Sequence, residues 1–236
     1  MSTEAAVAMQ EFATSEMLAA NLAQTVADFL RAAIAERGAA TLVASGGTTP
    51  KRFFAALSMQ KLDWSRVSVT LADERWVDAA SPRSNAKLVA ETLLQNEAAA
   101  ARFVPLFDAA FSEPDAAIPV LTQRLSAIGQ PFDVVLLGMG EDGHFASLFP
   151  GGDHLEQGLD PHATSMLVSM RAANAGEPRI SLTLPPLLAT RHLILHIEGA
   201  KKRATLDRAM SDGGAELPIR PLLQQRRPPL PCFWCA

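Results

Sequence analysis

The chain has 236 residues, 21 Lys and Arg against 25 Asp and Glu, and a formal net charge of −4 at pH 7. Its 48% hydrophobic residues supply a substantial core, and a chain of this length buries roughly 70% of its unfolded surface, so one domain over residues 1–236 is expected. The acidic balance, with basic runs no longer than Lys201-Lys202-Arg203 and Arg226-Arg227, argues against general binding to nucleic acid or anionic membrane, and no stretch reaches the ~18 uninterrupted apolar residues of a membrane span.

Val7 to Phe12 reads as a first strand. Glu16 to Arg37 places Leu18, Leu22, Val26, Leu30 and Ile34 on one helical face, with Gly38 positioned as a C-terminal cap. Thr41 to Ala44 is a short strand running into Ser45-Gly46-Gly47-Thr48-Thr49-Pro50, where Thr49 suits an N-cap and Pro50 the first position of a helix ending near Ser58. Val67 to Leu71 is the next strand, Asn85 to Leu94 a helix, Arg102 to Leu106 a short strand and Ala116 to Ile128 another helix. The apolar, β-branched run Asp133 to Leu137 predicts a fully buried strand. Beyond it come a strand near Leu167, an alternating segment over residues 179–184, a strand at Leu193 to Ile197, a helix from Lys201 to Met210, a loop over Asp212 to Pro218 and a terminal strand. Strands alternating with helices predict a Rossmann-like, doubly wound α/β fold: a mainly parallel sheet with helices on both faces and ligands at its carboxyl edge.

Chemistry-bearing residues cluster just past these strands. Gly138-Met139-Gly140-Glu141-Asp142-Gly143-His144 allows a sharp backbone path that brings His144, a residue type suited to proton transfer at neutral pH, over the sheet edge. A glycine loop with a merely exposed histidine is the competing reading. Ser45, Gly46, Gly47 and Thr48 lie between a strand and a helix start, so their amides and hydroxyls suit an anion such as phosphate. The loop matches neither a Walker loop nor the dinucleotide fingerprint, and an ordinary turn would look similar. Asp73-Glu74-Arg75-Trp76 offers a guanidinium for bidentate clamping or, equally, an ion pair beside a packing tryptophan. Ser84 and Asn85 fit polar contacts or helix capping. Arg179 and Lys202 taken singly read as surface charges, and their coincidence at the strand ends is what makes them site candidates.

Cys232 and Cys235 form a Cys-x-x-Cys pair without the two further ligands that zinc needs, and they lie in an apolar terminal strand, so a packing role is expected. His154, His162, His192 and His196 have no metal-ligand spacing and read as structural or surface residues. Neither metal nor organic cofactor is expected. The N-terminus shows no charged leader followed by an apolar core, which predicts a cytoplasmic protein. Monomer and homo-oligomer remain equally open.

Residues 45–50, 73–77, 84–85, 138–144 continuing to Pro150-Gly151, and Arg179-Ile180-Ser181-Leu182-Thr183 together resemble, in order and along almost the whole chain, the motifs of the 6-phosphogluconolactonase family. That family is grouped with glucosamine-6-phosphate deaminases, which share the serine-glycine-glycine loop and the Asp-Gly-His turn. Two departures separate this chain from the deaminase branch: Asp73-Glu74-Arg75 replaces Asp-Glu-Tyr, and Phe149 stands where deaminases carry the glutamate that assists ring opening. The resemblance implies metal-free hydrolysis of a small sugar-phosphate lactone, with no nucleic-acid or membrane partner. Under it His144 is the general base, with Asp142 ordering the loop or orienting the imidazole. Ser45, Gly46, Gly47, Thr48, Arg75, Arg179 and Lys202 form the anion site, one cation alternatively facing the oxyanion. Asp73 and Asn85 hold sugar hydroxyls or orient Arg75, and Gly140 lies against the substrate. Deaminase or isomerase chemistry is the second reading. A non-catalytic sugar-phosphate sensor of a transcription regulator is the third, disfavoured because no helix-turn-helix extension precedes residue 16.

Overall fold

In the computed structural model the described residues are 7–225 and 230–236, so the Arg226-Arg227 run lies outside them. In chain order the elements are β1 (Val7–Phe12), α1 (Ser15–Arg37), β2 (Ala40–Ala44), α2 (Lys51–Ser58), β3 (Val67–Leu71), β4 (Asp73–Arg75), α3 (Asn85–Thr92), β5 (Arg102–Phe103) and α4 (Pro114–Ser126). They continue with β6 (Val134–Leu137), α5 (Leu155–Leu159), β7 (Leu167–Met170), β8 (Arg179–Leu182), α6 (Leu184–Ala189), β9 (His192–Glu198), α7 (Ala200–Met210), α8 (Arg220–Gln225) and β10 (Leu230–Cys235).

Seven strands form a sheet in the order β1-β10-β9-β6-β2-β3-β5, every neighbouring pair parallel. The chain moves across this sheet in one direction from β1 through β2 and β3 to β5, then reverses through β6, β9 and β10. With right-handed crossovers the reversal puts the early and late helices on opposite faces, and it leaves a crevice at the carboxyl ends of β2 and β6. The strands bordering it are sealed on both faces: all of Ala40–Ala44 and Val134–Leu137 is buried. Helix α1 covers part of the sheet with Leu18, Leu22, Val26 and Leu30, each fully buried. Thr14 caps it by accepting from Met17 N at 3.2 Å, and Gly38, at φ 78°, ends it by donating to the Ile34 carbonyl at 2.8 Å.

Several local expectations change. Helix α2 starts at Lys51 with Pro50 as its cap, not Thr49, and the Thr49 hydroxyl accepts from Lys202 Nζ at 3.2 Å. The expected strand at Arg102 to Leu106 is cut to Arg102–Phe103. The strand near Leu167 and the alternating segment after Arg179 do not join the parallel sheet. They pair with Asp73–Arg75 in a separate antiparallel sheet of order β4-β8-β7, so Arg179 opens a strand instead of following one. Helices α6 and α8 were not expected, although the prolines in the first turn of α6 are a helix-start signal. The segment Asp212 to Pro218 is not a free loop. Leu217 is 4% exposed, and Ile219 N donates to the Gly143 carbonyl at 3.0 Å, tying the segment to the His144 turn. Among the described residues no helix is long and apolar enough to cross a membrane.

Candidate active site

At the crevice predicted by the reversal, a side-chain bond adds to the β2–β6 pairing. Ser45, the first residue after β2, donates through Oγ to the Leu136 carbonyl of β6 at 2.8 Å. The next residue has to be glycine: a Cβ on Gly46 would lie 1.9 Å from Asn85 Oδ1. Gly47 turns at φ 93°, in the left-handed region that glycine favours, and Thr48 completes the loop into α2. Asn85, at the first position of α3 and 1% exposed, donates through Nδ2 to the Asp73 carbonyl at 2.9 Å. Its helix end is held by Glu74, a fully buried carboxylate that accepts from the amides of Arg75, Asn85 and Ala86 and from Ser84 Oγ at 2.7–3.1 Å. Burial pushes the Glu74 carboxyl above its ordinary value, and the three amides pull it back.

Over the same edge, the Gly138 to His144 turn folds back on itself, Gly140 N donating to the His144 carbonyl at 2.9 Å. His144 Nδ1 lies 2.5 Å from Asp142 Oδ1, and the same oxygen accepts from His144 N at 3.2 Å. A carboxylate only accepts, so Nδ1 carries the proton and the lone pair of the neutral ring is on Nε2. The bond from His144 holds the Asp142 carboxyl below its usual range. Gly140 is as constrained as Gly46, since a Cβ there would lie 2.3 Å from His144 Cε1 and Nδ1 and 2.5 Å from Asp142 Oδ1. Phe149 packs against the imidazole, ring centroids 4.3 Å apart and 33° between planes.

The cations reach the cleft from three separate segments. Arg75 and Arg179 are directly opposite each other in the antiparallel β4–β8 pair, an arrangement that costs stability when both carry the same charge. Arg75 donates through Nη1 to the Arg83 carbonyl. Arg179, 6% exposed, donates through Nη2 to the Ala175 carbonyl at 2.6 Å, stands 3.9 Å from Asp73 Oδ2 and lies over the Phe149 ring at 5.3 Å. Burial lowers its pKa, Asp73 opposes that and Arg75 adds to it. Lys202 enters from α7; burial pushes its ammonium down while Glu198 and Glu141 resist.

Ser45, Gly46, Gly47, Thr48, Asp73, Arg75, Asn85, Gly140, His144, Arg179 and Lys202 all line one cleft of about 230 Å³, whereas Asp142 stands behind His144 and Ser84 and Glu74 lie outside it. That volume is below the roughly 300–1,000 Å³ of drug-sized pockets and suits a small polar molecule. Among the described residues neither Asp73 nor Asn85 is bonded to Arg75. Asp73 faces Arg179, and its Oδ2 accepts from Ser147 Oγ at 2.5 Å. His196 was read as structural and is 2% exposed, yet it also lines the cleft, with Nε2 3.1 Å from Glu198 Oε1. A histidine inside an otherwise apolar strand, two residues before a glutamate at the strand end, was the available signal. The other histidines lie away from the cleft; His192 stacks on Phe29 at 3.7 Å and His154 contacts Ser169. Cys232 and Cys235 are free and buried in β10, with burial pushing the Cys232 thiol up to about 12, the opposite of a reactive thiolate. Among the described residues no group of three or more His, Cys, Asp or Glu could hold a metal ion.

Four buried side-chain polar atoms among the described residues lack a hydrogen-bond partner: Arg75 Nε, Arg179 Nε, Asn85 Oδ1 and His196 Nδ1. All four belong to residues lining this cleft. Such atoms are rare in folded proteins, each costing roughly 1–3 kcal/mol, and their concentration in one place marks it for a polar ligand.

Residues 13–229 match the family model described as glucosamine-6-phosphate isomerases/6-phosphogluconolactonase. A 6-phosphogluconolactonase of Rhizobium meliloti is 48% identical over 227 residues, covering 96% of this chain and 97% of that protein. One of Mesorhizobium japonicum is 50% identical over 223 residues, covering 94% and 93%. The crystal structure of a 6-phosphogluconolactonase from Shewanella baltica superposes with a TM-score of 0.93 at 41% identity, covering 98% of each chain. The chain therefore belongs to the glucosamine-6-phosphate isomerases/6-phosphogluconolactonase family.

Proposed function

We propose that this cleft hydrolyses 6-phospho-D-glucono-1,5-lactone to 6-phosphogluconate, the second step of the oxidative pentose phosphate pathway, as the names of its relatives indicate. The observation that carries the site assignment is the gathering of four buried, unpartnered polar atoms beside a carboxylate-oriented imidazole. A lactone is an activated ester, so the protein has to position it, take a proton from water and stabilise a tetrahedral oxyanion. His144 Nε2 removes the proton from the attacking water, Asp142 holding Nδ1–H and the charge that develops on the ring. Collapse of the tetrahedral intermediate breaks the bond to the ring oxygen, which takes the proton back from the imidazolium and becomes the product hydroxyl.

The Ser45 to Thr48 amides, Arg75, Arg179 and Lys202 form the anion site, with Asp73 and Asn85 directed at sugar hydroxyls and the Gly140 backbone against the substrate. Two guanidiniums placed opposite each other, each with an unspent buried Nε, are better accounted for by a bound dianion than by folding stability. The reaction needs no metal or organic cofactor, because the base and the charge stabilisation both come from side chains and amides. The partner is the small phosphorylated lactone, and the setting is the cytoplasm, where reduced cysteines belong. The deaminase alternative loses support at Phe149, whose buried phenyl ring supplies no carboxyl for ring opening. Lactone hydrolysis measured against its spontaneous background, with glucosamine 6-phosphate in parallel, tests this reading. Turnover of the lactone alone is expected; deamination of the amino sugar phosphate without lactone hydrolysis would overturn it.

A further inference from the structure

Phe149 is 7% exposed and makes two contacts that packing alone does not require. Its ring lies 4.3 Å from the His144 imidazole, the two planes 33° apart, and the Arg179 guanidinium lies over the same ring at 5.3 Å from its centroid. The face of a phenyl ring carries negative electrostatic potential, so it attracts a cation and strengthens its hold as a neighbour becomes one. We propose that Phe149 is a positioning residue whose π-face seats the His144 imidazole against Gly140 and stabilises the imidazolium that forms when the ring takes a proton from water. This rests on His144 being the base.

The geometry around the imidazole supports the assignment. Asp142 Oδ1 fixes Nδ1, and the room beside Cε1 and Nδ1 is closed by Gly140, where no Cβ fits. Phe149 is therefore the contact that sets the tilt of the ring and the direction of Nε2. Asp142 is bonded to the imidazole, and Arg179 lies over its phenyl support. Asp73, Arg75, Lys202 and His196 line the same cleft. Asp142 favours the imidazolium and the cations oppose it. The phenyl ring contacts both the imidazole and the Arg179 guanidinium.

The test compares Phe149→Leu, Phe149→Met and Phe149→Tyr with the unaltered enzyme, each checked for native circular dichroism, and follows kcat, KM and the pH profile of kcat/KM. Phe149→Leu is expected to lower kcat about three- to tenfold and to move the acidic limb of kcat/KM down by at least about 0.4 pH units, the size of a modest cation–π contribution. Phe149→Tyr, which keeps an aromatic face, is expected to stay within about twofold of the unaltered enzyme on both counts. Phe149→Met is read in the same way if the leucine variant does not fold. A folded leucine or methionine variant with unchanged kcat and limb overturns the proposal. So does a loss of kcat with an unmoved limb, or a tyrosine variant that falls as far as the leucine one, since either outcome makes the role one of packing only. His144→Ala run alongside keeps the two ideas apart. Retained turnover there removes the base and this proposal together, whereas a dead His144→Ala leaves the Phe149 outcomes to decide Phe149 alone.

Discussion

The cleft has one wall built from the ends of the parallel sheet and another built from the small antiparallel sheet, and the two walls present their chemistry differently. On the parallel side the working groups are the Ser45 loop and the His144 turn, placed by glycines at 46 and 140 that leave no room for a Cβ, with His196 and Lys202 beside them. On the antiparallel side they are side chains, buried Asp73 and Arg179 and half-buried Arg75, locked into a cross-strand register. A reacting base needs an exposed nitrogen aimed by close neighbours, which a tight turn supplies. A strong anion site needs desolvated charges that cannot relax away from one another, which a paired sheet supplies. If that division is right, damage to the His144 turn should lower turnover for any lactone, and damage to the paired guanidiniums Arg75 and Arg179 should act through the phosphate.

The largest effect is expected from His144→Ala, with kcat falling roughly 10²- to 10⁴-fold while fold and most substrate affinity remain. Steady-state kinetics together with a melting curve check this. Gly140→Ala comes next. The added Cβ would sit 2.3 Å from the imidazole, and displacing a reacting group by about 1 Å can cost about 10²-fold, so kcat should drop by up to that factor with little change in Tm. Lys202→Ala removes the charge held by Thr49 and should lower kcat/KM for the phosphorylated lactone about tenfold, since about 1.4 kcal/mol is a factor of ten.

How much of this was legible in the sequence follows the same division. The His144–Asp142 pair is a contact two residues apart, and the Ser45 loop is a strand-to-helix turn, so both could be read from local spacing. The parallel sheet was legible because its central strands β2, β6 and β9 are largely apolar. The opposition of Arg75 and Arg179 was not, since it depends on a register between segments far apart in the chain, and Asp73–Arg75 is too short to announce itself as a strand. The contact of Thr49 was missed for a related reason: its hydroxyl accepts from Lys202, which reaches it from far along the chain. His196 lay hidden because β9 is buried on both faces, leaving its pattern without a polar side to mark it.

The smallest effect concerns stability. Glu198, bonded by His196 and by Ser15 Oγ at 2.6 Å, has its carboxyl lowered from 4.5 to about 2. A depressed carboxyl contributes stability that is present above its unfolded value and is lost as pH falls from about 4.5 through about 2. Glu198→Gln should therefore lose less Tm than the unaltered protein over that interval, at roughly 2–4 °C per kcal/mol for a domain of this size. Parallel melting curves that keep the same slope in acid would remove Glu198 from the account.

The division between the two walls is tested most directly by measuring kcat/KM of Arg75→Ala and His144→Ala on the phosphorylated lactone and on unphosphorylated gluconolactone. His144→Ala should depress both substrates by similar factors, and Arg75→Ala should cost about tenfold or more on the phosphorylated one while barely altering the other. Equal losses on both lactones for Arg75→Ala would place that guanidinium on the oxyanion instead of the phosphate and contradict the separation of roles proposed for the two walls.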